Sequence, residues 1–252
     1  MTQFKGRRED DRLLKGQGKY TADWNFPGQL YGCFLRSDRA HAEISSIRTQ
    51  AALGMPGAKA ILTGEDTADF KTPPPMVTYP GRGGAMIKVP HREVMARRRV
   101  RYVGQEIALV VATSAAAAQD AAEAIEVEYR DLPAVVDADA ALAHGAPQLH
   151  DGIPGNLAFD YEYGDEKAAD QAFARAAHVT RLDLDSTRVS GTPMEPKACV
   201  IAYDVASGSF DVYAPSQGMA MMLPNFVAIT GTPAERIRIH AHDVGGGFGI
   251  RS

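Results

Sequence analysis

A mixed α and β (α+β) fold in two units is what this sequence predicts, on three observations. Alternating or wholly apolar runs are interleaved with alanine-rich runs of helical period, giving the strand–helix–strand order of an α/β or α+β unit. The 252 residues are 45% apolar and 23% charged, close to the about 45–50% and about 25% of soluble globular chains, so a real core can form. A stretch rich in proline and glycine, 131–163, reads as a linker. At about 150 residues per domain, the length allows one large or two small units.

In the first unit, residues 30–36 are aromatic and apolar and read as a strand. Residues 44–53 read as a strand edge leading into a short helix, and 58–63 as another strand ending in a turn at Gly64. Proline and glycine make 71–90 a loop. Residues 103–112 form a strand whose second half is wholly apolar, so it is buried on both faces. Ser114 caps a helix from Ala115 to about Ile125. The alternation in 125–129 is a half-buried strand.

In the second unit, 165–177 reads as a helix with Ala168, Ala169, Ala172, Phe173 and Ala176 on one face. Residues 178–190, 198–204 and 209–214 read as strands. Residues 217–230 read as an apolar helix that Pro224 kinks or stops early. A clean alternation over 237–242 is a strand that runs straight into the glycines of 245–249.

Several function classes are excluded or disfavoured. With 27 basic against 31 acidic residues, no nucleic-acid or anionic-membrane partner is expected, because phosphate surfaces reward concentrated positive charge. The basic run Arg97-Arg98-Arg99-Val100-Arg101 reads as a solvated strand end or a subunit contact. Cys33 and Cys199 form no CxxC pair, so neither a zinc ribbon nor an iron–sulfur cluster is encoded; both read as small buried hydrophobes in a reduced compartment. Residues 1–11 carry no apolar signal core, and the longest apolar stretch, 107–118, falls short of the about 20 residues that span a bilayer. A cytoplasmic location is expected.

Most of the chemistry sits in Val244-Gly245-Gly246-Gly247-Phe248-Gly249. Four glycines in five positions after a strand form a backbone that approaches something closely. Successive exposed N–H groups make an anion-binding nest, suited to phosphate or a metal-oxo group. The run is neither GxGxxG nor a Walker A loop. Taken alone it is also compatible with a tight turn or bulge.

The sequence resembles the molybdenum-binding large subunit of the xanthine dehydrogenase, aldehyde oxidase and carbon monoxide dehydrogenase family. The resemblance is carried, in order, by Gly6-Arg7-Arg8-Glu9-Asp10, by Gly16-Gln17-Gly18-Lys19-Tyr20-Thr21-Ala22-Asp23 and by Arg36-Ser37-Asp38-Arg39-Ala40-His41-Ala42. It continues through Tyr102-Val103-Gly104-Gln105-Glu106, Pro193-Met194-Glu195-Pro196-Lys197, Gln217 and Gly246-Gly247-Phe248-Gly249. Gln217 precedes Gly247 by 30 residues, a spacing similar to the family's. The resemblance covers essentially the whole chain. It implies an α/β hammerhead domain over 1–135 and the first part of a molybdopterin-binding domain over 136–252.

It also implies a cofactor, a chemistry and partners. The cofactor is molybdopterin with molybdenum, in the cytosine dinucleotide form usual among bacterial members. Such enzymes hydroxylate a carbon at molybdenum and pass electrons to iron–sulfur and FAD groups on partner subunits. The resemblance gives Gln217 the role of donating its amide to a molybdenum oxo or hydroxo ligand, a neutral contact that adds no titrating group. Read alone, Gln217 is also compatible with a plain helix N-terminal residue. Gly246, Gly247, Phe248 and Gly249 fall in the cofactor loop, with the N–H groups of Gly247, Phe248 and Gly249 facing phosphate or metal ligands. The ring of Phe248 packs on the cofactor or belongs to a core. Phe248 and Ser252 fall in the substrate pocket. Ser252 stands where the purine-oxidising branch carries a glutamate, which favours an aldehyde, a heteroaromatic ring or another small molecule.

Glu195 reads as a structural ion pair. His240 and His242 share a strand face but lack the further ligands a metal needs, so no directly coordinating residue is expected. Family members are much longer, and their later part carries the catalytic glutamate. The chain alone is therefore expected to be inactive, completed by a second molybdopterin-binding chain that carries the C-terminal half and assembled as a dimer of heteromers. The competing expectations are a truncated relic and a non-catalytic assembly module.

Overall fold

The computed structural model describes residues 6–73, 75, 78–187 and 189–251. After a short helix α1 (Asp10–Leu14), the first unit runs β1 (Tyr31–Arg36), β2 (Ala42–Arg48), α2 (Gln50–Leu53), β3 (Ala58–Thr63), β4 (Arg99–Val100), β5 (Glu106–Ala112), α3 (Ala115–Glu123) and β6 (Glu126–Asp131). These strands make two antiparallel sheets, ordered β1-β5-β3 and β4-β2-β6.

Strand β5 is the centre of this unit, as its apolar run requires. Ala108 and Val110 face α3 and α2, packing with Ala52, Ala121, Ala122 and Ile125. Ile107 points the other way, into a cluster with Ala42, Ala96 and Val100. Period-2 alternation on one strand thus serves two cores. Alanines at the buried positions of α3 let the helix lie close on the sheet. Ser114 caps it, its hydroxyl accepting the Ala117 N–H at 3.2 Å. Replacing that cap, Ser114→Ala, is expected to lower stability by about 1 kcal/mol, read as a shift in the urea midpoint.

The second unit contains α4 (Ala138–Leu142), α5 (Glu166–Arg175), β7 (Val200–Asp204), β8 (Ser209–Tyr213), α6 (Met219–Thr230) and β9 (Ile237–His240). Strands β7 and β8 are antiparallel, whereas β8 and β9 are parallel, with α6 as the crossover that parallel strands need. Met222, Leu223, Phe226 and Val227 of α6 cover Val212, Ala214 and Ile237.

Five expectations need correction. The linker holds a helix, α4, because Asp137 caps it by accepting the Ala140 N–H. The apolar face of α5 buries nothing and Phe173 is 65% exposed; periodicity marks a face but supplies no surface to cover it. No strand forms among the described residues of 178–190, where Leu182 and Leu184 are exposed without a neighbouring edge to pair with. Helix α6 does not stop early but continues through Pro224, its sixth residue, to a left-handed cap at Gly231; the packing of its apolar face on the sheet outweighs the one bond to the Ala220 carbonyl that the proline removes. Cys199 is exposed and Cys33 half-buried, so neither is the fully buried hydrophobe expected.

The basic run is a strand end tied down within the chain. Arg97 pairs with Glu65, Arg99 pairs with Glu43 and Asp151, and Arg101 donates to the Leu149 carbonyl. No helix among the described residues is long and apolar enough to cross a membrane.

Candidate cofactor site

Strand β9 delivers the chain to Asp243 and then to the glycine loop. Gly245 donates its N–H to Glu195 Oε2 at 2.8 Å. It packs so tightly that a Cβ there would sit 2.4 Å from the Cβ of Glu195. Gly246 and Gly249 adopt φ of +104° and +81°, and Phe248 holds the left-handed region at φ +52°, which is strained for a residue with a side chain. Its ring turns back over Gly246 and is 73% exposed, so it is not core. With Val189, Ser190, Gly191, Thr192, Gly249 and Ile250 it lines an open cleft of about 480 Å³.

Gln217 lies just before α6, not inside it, because Gly218 is the N-cap in extended geometry. Its N–H donates to the Arg251 carbonyl at 3.0 Å. Its Oε1 accepts the N–H groups of Gly249 at 2.9 Å and Arg251 at 3.3 Å. Two backbone donors fix which end of the amide is oxygen, so Nε2 points away, without a partner among the described residues. A Cβ on Gly247 would lie 2.4 Å from Gln217 Cδ. The N–H groups of Gly246, Gly247 and Phe248 have no acceptor among the described residues. The expected role of the Gly249 N–H is corrected: it is engaged by Gln217 rather than open to a ligand. Ser252 lies outside the described residues.

Two carboxylates fasten this loop. Glu195 is buried, and its Oε2 meets Arg251 Nη1 at 2.5 Å while Oε1 accepts the Thr21 N–H at 3.0 Å. A second guanidinium nitrogen of Arg251 donates to the Glu195 carbonyl. Burial opposes ionisation of Glu195, but the N–H groups of Gly245 and Thr21 and the charge of Arg251 outweigh it and hold its pKa below the ordinary value. The expected ion pair is present. Asp243 accepts both terminal nitrogens of Arg12, at 2.5 and 2.6 Å, and the Lys19 N–H at 2.7 Å. Those bonds pull its pKa down to about 2.

His240 stacks on Tyr213 and bonds Asp211, while His242 lies against Trp24. No cluster able to hold a metal ion occurs among the described residues. Sequence reasoning missed Asp243, Arg12 and Arg251. The one local signal was an acid two residues before the first glycine of the run and a base two residues after the last.

Residues 15–133 match the aldehyde oxidase and xanthine dehydrogenase a/b hammerhead domain, and residues 149–252 match the molybdopterin cofactor-binding domain. The carbon monoxide dehydrogenase large chain of Hydrogenophaga pseudoflava is 34% identical over 96% of this chain and 30% of its own length. The nicotine 6-hydroxylase large subunit of Paenarthrobacter nicotinovorans is 34% identical over 98% of this chain and 29% of its own. Among solved structures, quinoline 2-oxidoreductase from Pseudomonas putida 86 superposes with a TM-score of 0.85 at 34% identity, covering 98% of this chain and 30% of that one. The Cu,Mo-CO dehydrogenase superposes equally well, at 0.85 and 32% identity, over 99% of this chain and 32% of that one. The chain thus spans about 30% of the length of these relatives. With a hammerhead domain followed by a cofactor-binding domain, and relatives alike along nearly its whole length, the chain belongs to the aldehyde oxidase and xanthine dehydrogenase family.

Proposed function

We propose that this chain supplies part of the molybdopterin site of a molybdenum hydroxylase-type oxidoreductase that acts on an aldehyde, a heteroaromatic ring or another small molecule. One observation carries the reading: the Nε2 of Gln217 and the three successive N–H groups of Gly246, Gly247 and Phe248 are all without a partner among the described residues. The donor set fits an oxygen-rich anionic group. Both carboxylates at the loop are turned away, onto Arg251 and Arg12, so neither opposes an anion. Glycine at 247 lets the Gln217 side chain lie against the loop, where a Cβ would collide with its amide.

When bound, the cofactor supplies the metal centre for carbon hydroxylation and two-electron transfer. Gln217 donates from Nε2 to a ligand oxygen without changing protonation. Gly246, Gly247 and Phe248 donate backbone N–H groups to phosphate or oxo groups. Gly249 acts one step back, by orienting Gln217. Phe248, with its exposed ring, and Ser252 are assigned to the substrate pocket. The hammerhead unit is taken as 1–135 and the cofactor-binding unit as 136–252.

General-base catalysis needs a carboxylate within reach of the reacting group. Glu195 and Asp243 are both consumed in ion pairs. This supports a chain that is inactive alone, with a second molybdopterin-binding chain completing the site. Iron–sulfur and FAD subunits take up the electrons, in a cytoplasmic dimer of heteromers with the cytosine dinucleotide form of the cofactor. The names "large chain" and "large subunit" among the relatives support a multi-subunit assembly.

The complex purified with its partner chains is expected to contain one molybdenum per copy of this chain, by metal analysis. A redox-active preparation free of molybdenum would sink the reading.

A further inference from the structure

The N-terminal arm, residues 7–28, precedes the first sheet but makes its long-range contacts with the second unit. Arg12 and Lys19 hold Asp243, and Thr21 holds Glu195. Trp24 lies 4.7 Å from Tyr213 and 4.6 Å from His242 between ring centroids, with Lys19 Nζ over its ring at 3.5 Å from the centroid. Phe26 lies 5.2 Å from Tyr213. Each carboxylate therefore bridges the arm and the glycine loop. Asp243 sits two residues before the loop, and Glu195 takes the first glycine's N–H together with that of Thr21.

A run of four glycines in five positions has large conformational freedom to lose on ordering. The N–H groups of Gly246, Gly247 and Phe248, which have no acceptor among the described residues, remain presented only if the backbone on either side is fixed. Gln217 and Arg251 fix the side after the glycines. Before the glycines, Asp243 is held by Arg12 and Lys19 of the arm, and Glu195 joins Thr21 of the arm to Gly245.

We propose that Arg12, Lys19, Thr21 and Trp24 are positioning residues for the glycine loop: the arm is a strap that fixes Asp243 and Gly245 so that Gly246, Gly247 and Phe248 present their N–H groups ready for a ligand. What the nest receives rests on the function proposed above; the strap itself does not. Ordering the loop beforehand lowers the entropy lost when an anion docks.

The test is amide hydrogen exchange on the full chain, comparing peptides over 241–251 with peptides over β5. Arg12→Gln removes the bidentate pair at a partly exposed site. It is expected to speed exchange over 241–251 about tenfold while β5 exchanges as before. Arg12→Lys should restore part of the protection, since lysine offers one point charge in place of a fork. Asp243→Asn should reproduce the effect from the other side. Unchanged exchange over 241–251 in Arg12→Gln and Asp243→Asn overturns the strap, as does a parallel rise over β5, which would mean general destabilisation. Molybdenum retained by the complex after gel filtration separates the two ideas. Faster loop exchange with full molybdenum retention keeps the strap and counts against the cofactor reading.

Discussion

Gly247→Ala is expected to lower turnover of the assembled complex a hundredfold or more while leaving the first sheet and its core intact. The methyl group would sit 2.4 Å from Gln217 Cδ and 2.5 Å from Cγ, far inside contact distance. Because the backbone φ at 247 is not in the left-handed region, alanine adds no dihedral strain there and the effect is steric. Gln217 is exposed and would swing aside, losing both hydrogen bonds at Oε1 and the aim of Nε2. Loss of one aligned donor at a reacting centre costs about 10²–10³ in kcat. Gln217→Ala should show a similar drop. In the Gln217→Ala background, the added methyl group at 247 occupies vacated space and should cost little more, because two residues acting through one contact do not add. Steady-state kinetics on the single and double variants checks this. Full turnover in Gly247→Ala would show that the close packing of 247 on 217 is irrelevant to the chemistry.

What the sequence made legible divides along physical lines. Strand β5 is legible because a wholly apolar run that also alternates must be buried on both faces, and Ile107 and Val110 are buried in different cores. The glycine loop is legible because close backbone approach and positive φ at Gly246 and Gly249 restrict residue type there, whereas Gln217 stands out only through the family resemblance. The helix boundary at 217 is not, since it depends on the extended backbone of Gly218. The failed strand at 178–190 and the bare face of α5 share a cause: local pattern states which side is apolar, whereas burial depends on a neighbour that local pattern does not name. Arg12 and Asp243 are 231 positions apart, and no periodicity links them. The same distance hides the bond from Thr21 to Glu195, so the strap is visible only in three dimensions.

The largest effect on stability is expected at Glu195. Its carboxylate is the shared acceptor for the Thr21 N–H, the Gly245 N–H and the guanidinium of Arg251, whose side chain is fully buried. Glu195→Ala strands that guanidinium and leaves two backbone donors without their acceptor. Removing one partner of a buried pair costs about 3–5 kcal/mol. The loss should appear as a lowered denaturation midpoint for the second unit, followed by hydrogen exchange in β8 and β9, with β1 and β5 unaffected. Glu195→Gln keeps an oxygen acceptor and should fall between. Replacing both partners, Glu195→Met with Arg251→Met, should recover much of the loss, because no buried charge is then left unpaired. The acid behaviour carries a defined sign. Glu195 titrates below its ordinary value when folded, so its stabilisation is complete above about 4.3, the ordinary glutamate value, and is lost as pH falls through the lowered one. Asp243 adds a second contribution that persists until about pH 2. Glu195→Ala should therefore remove its own share of the acid transition and leave the share of Asp243 in place. A variant that melts and titrates like the parent chain would show that Arg251 finds another partner and that Glu195 does not hold the loop.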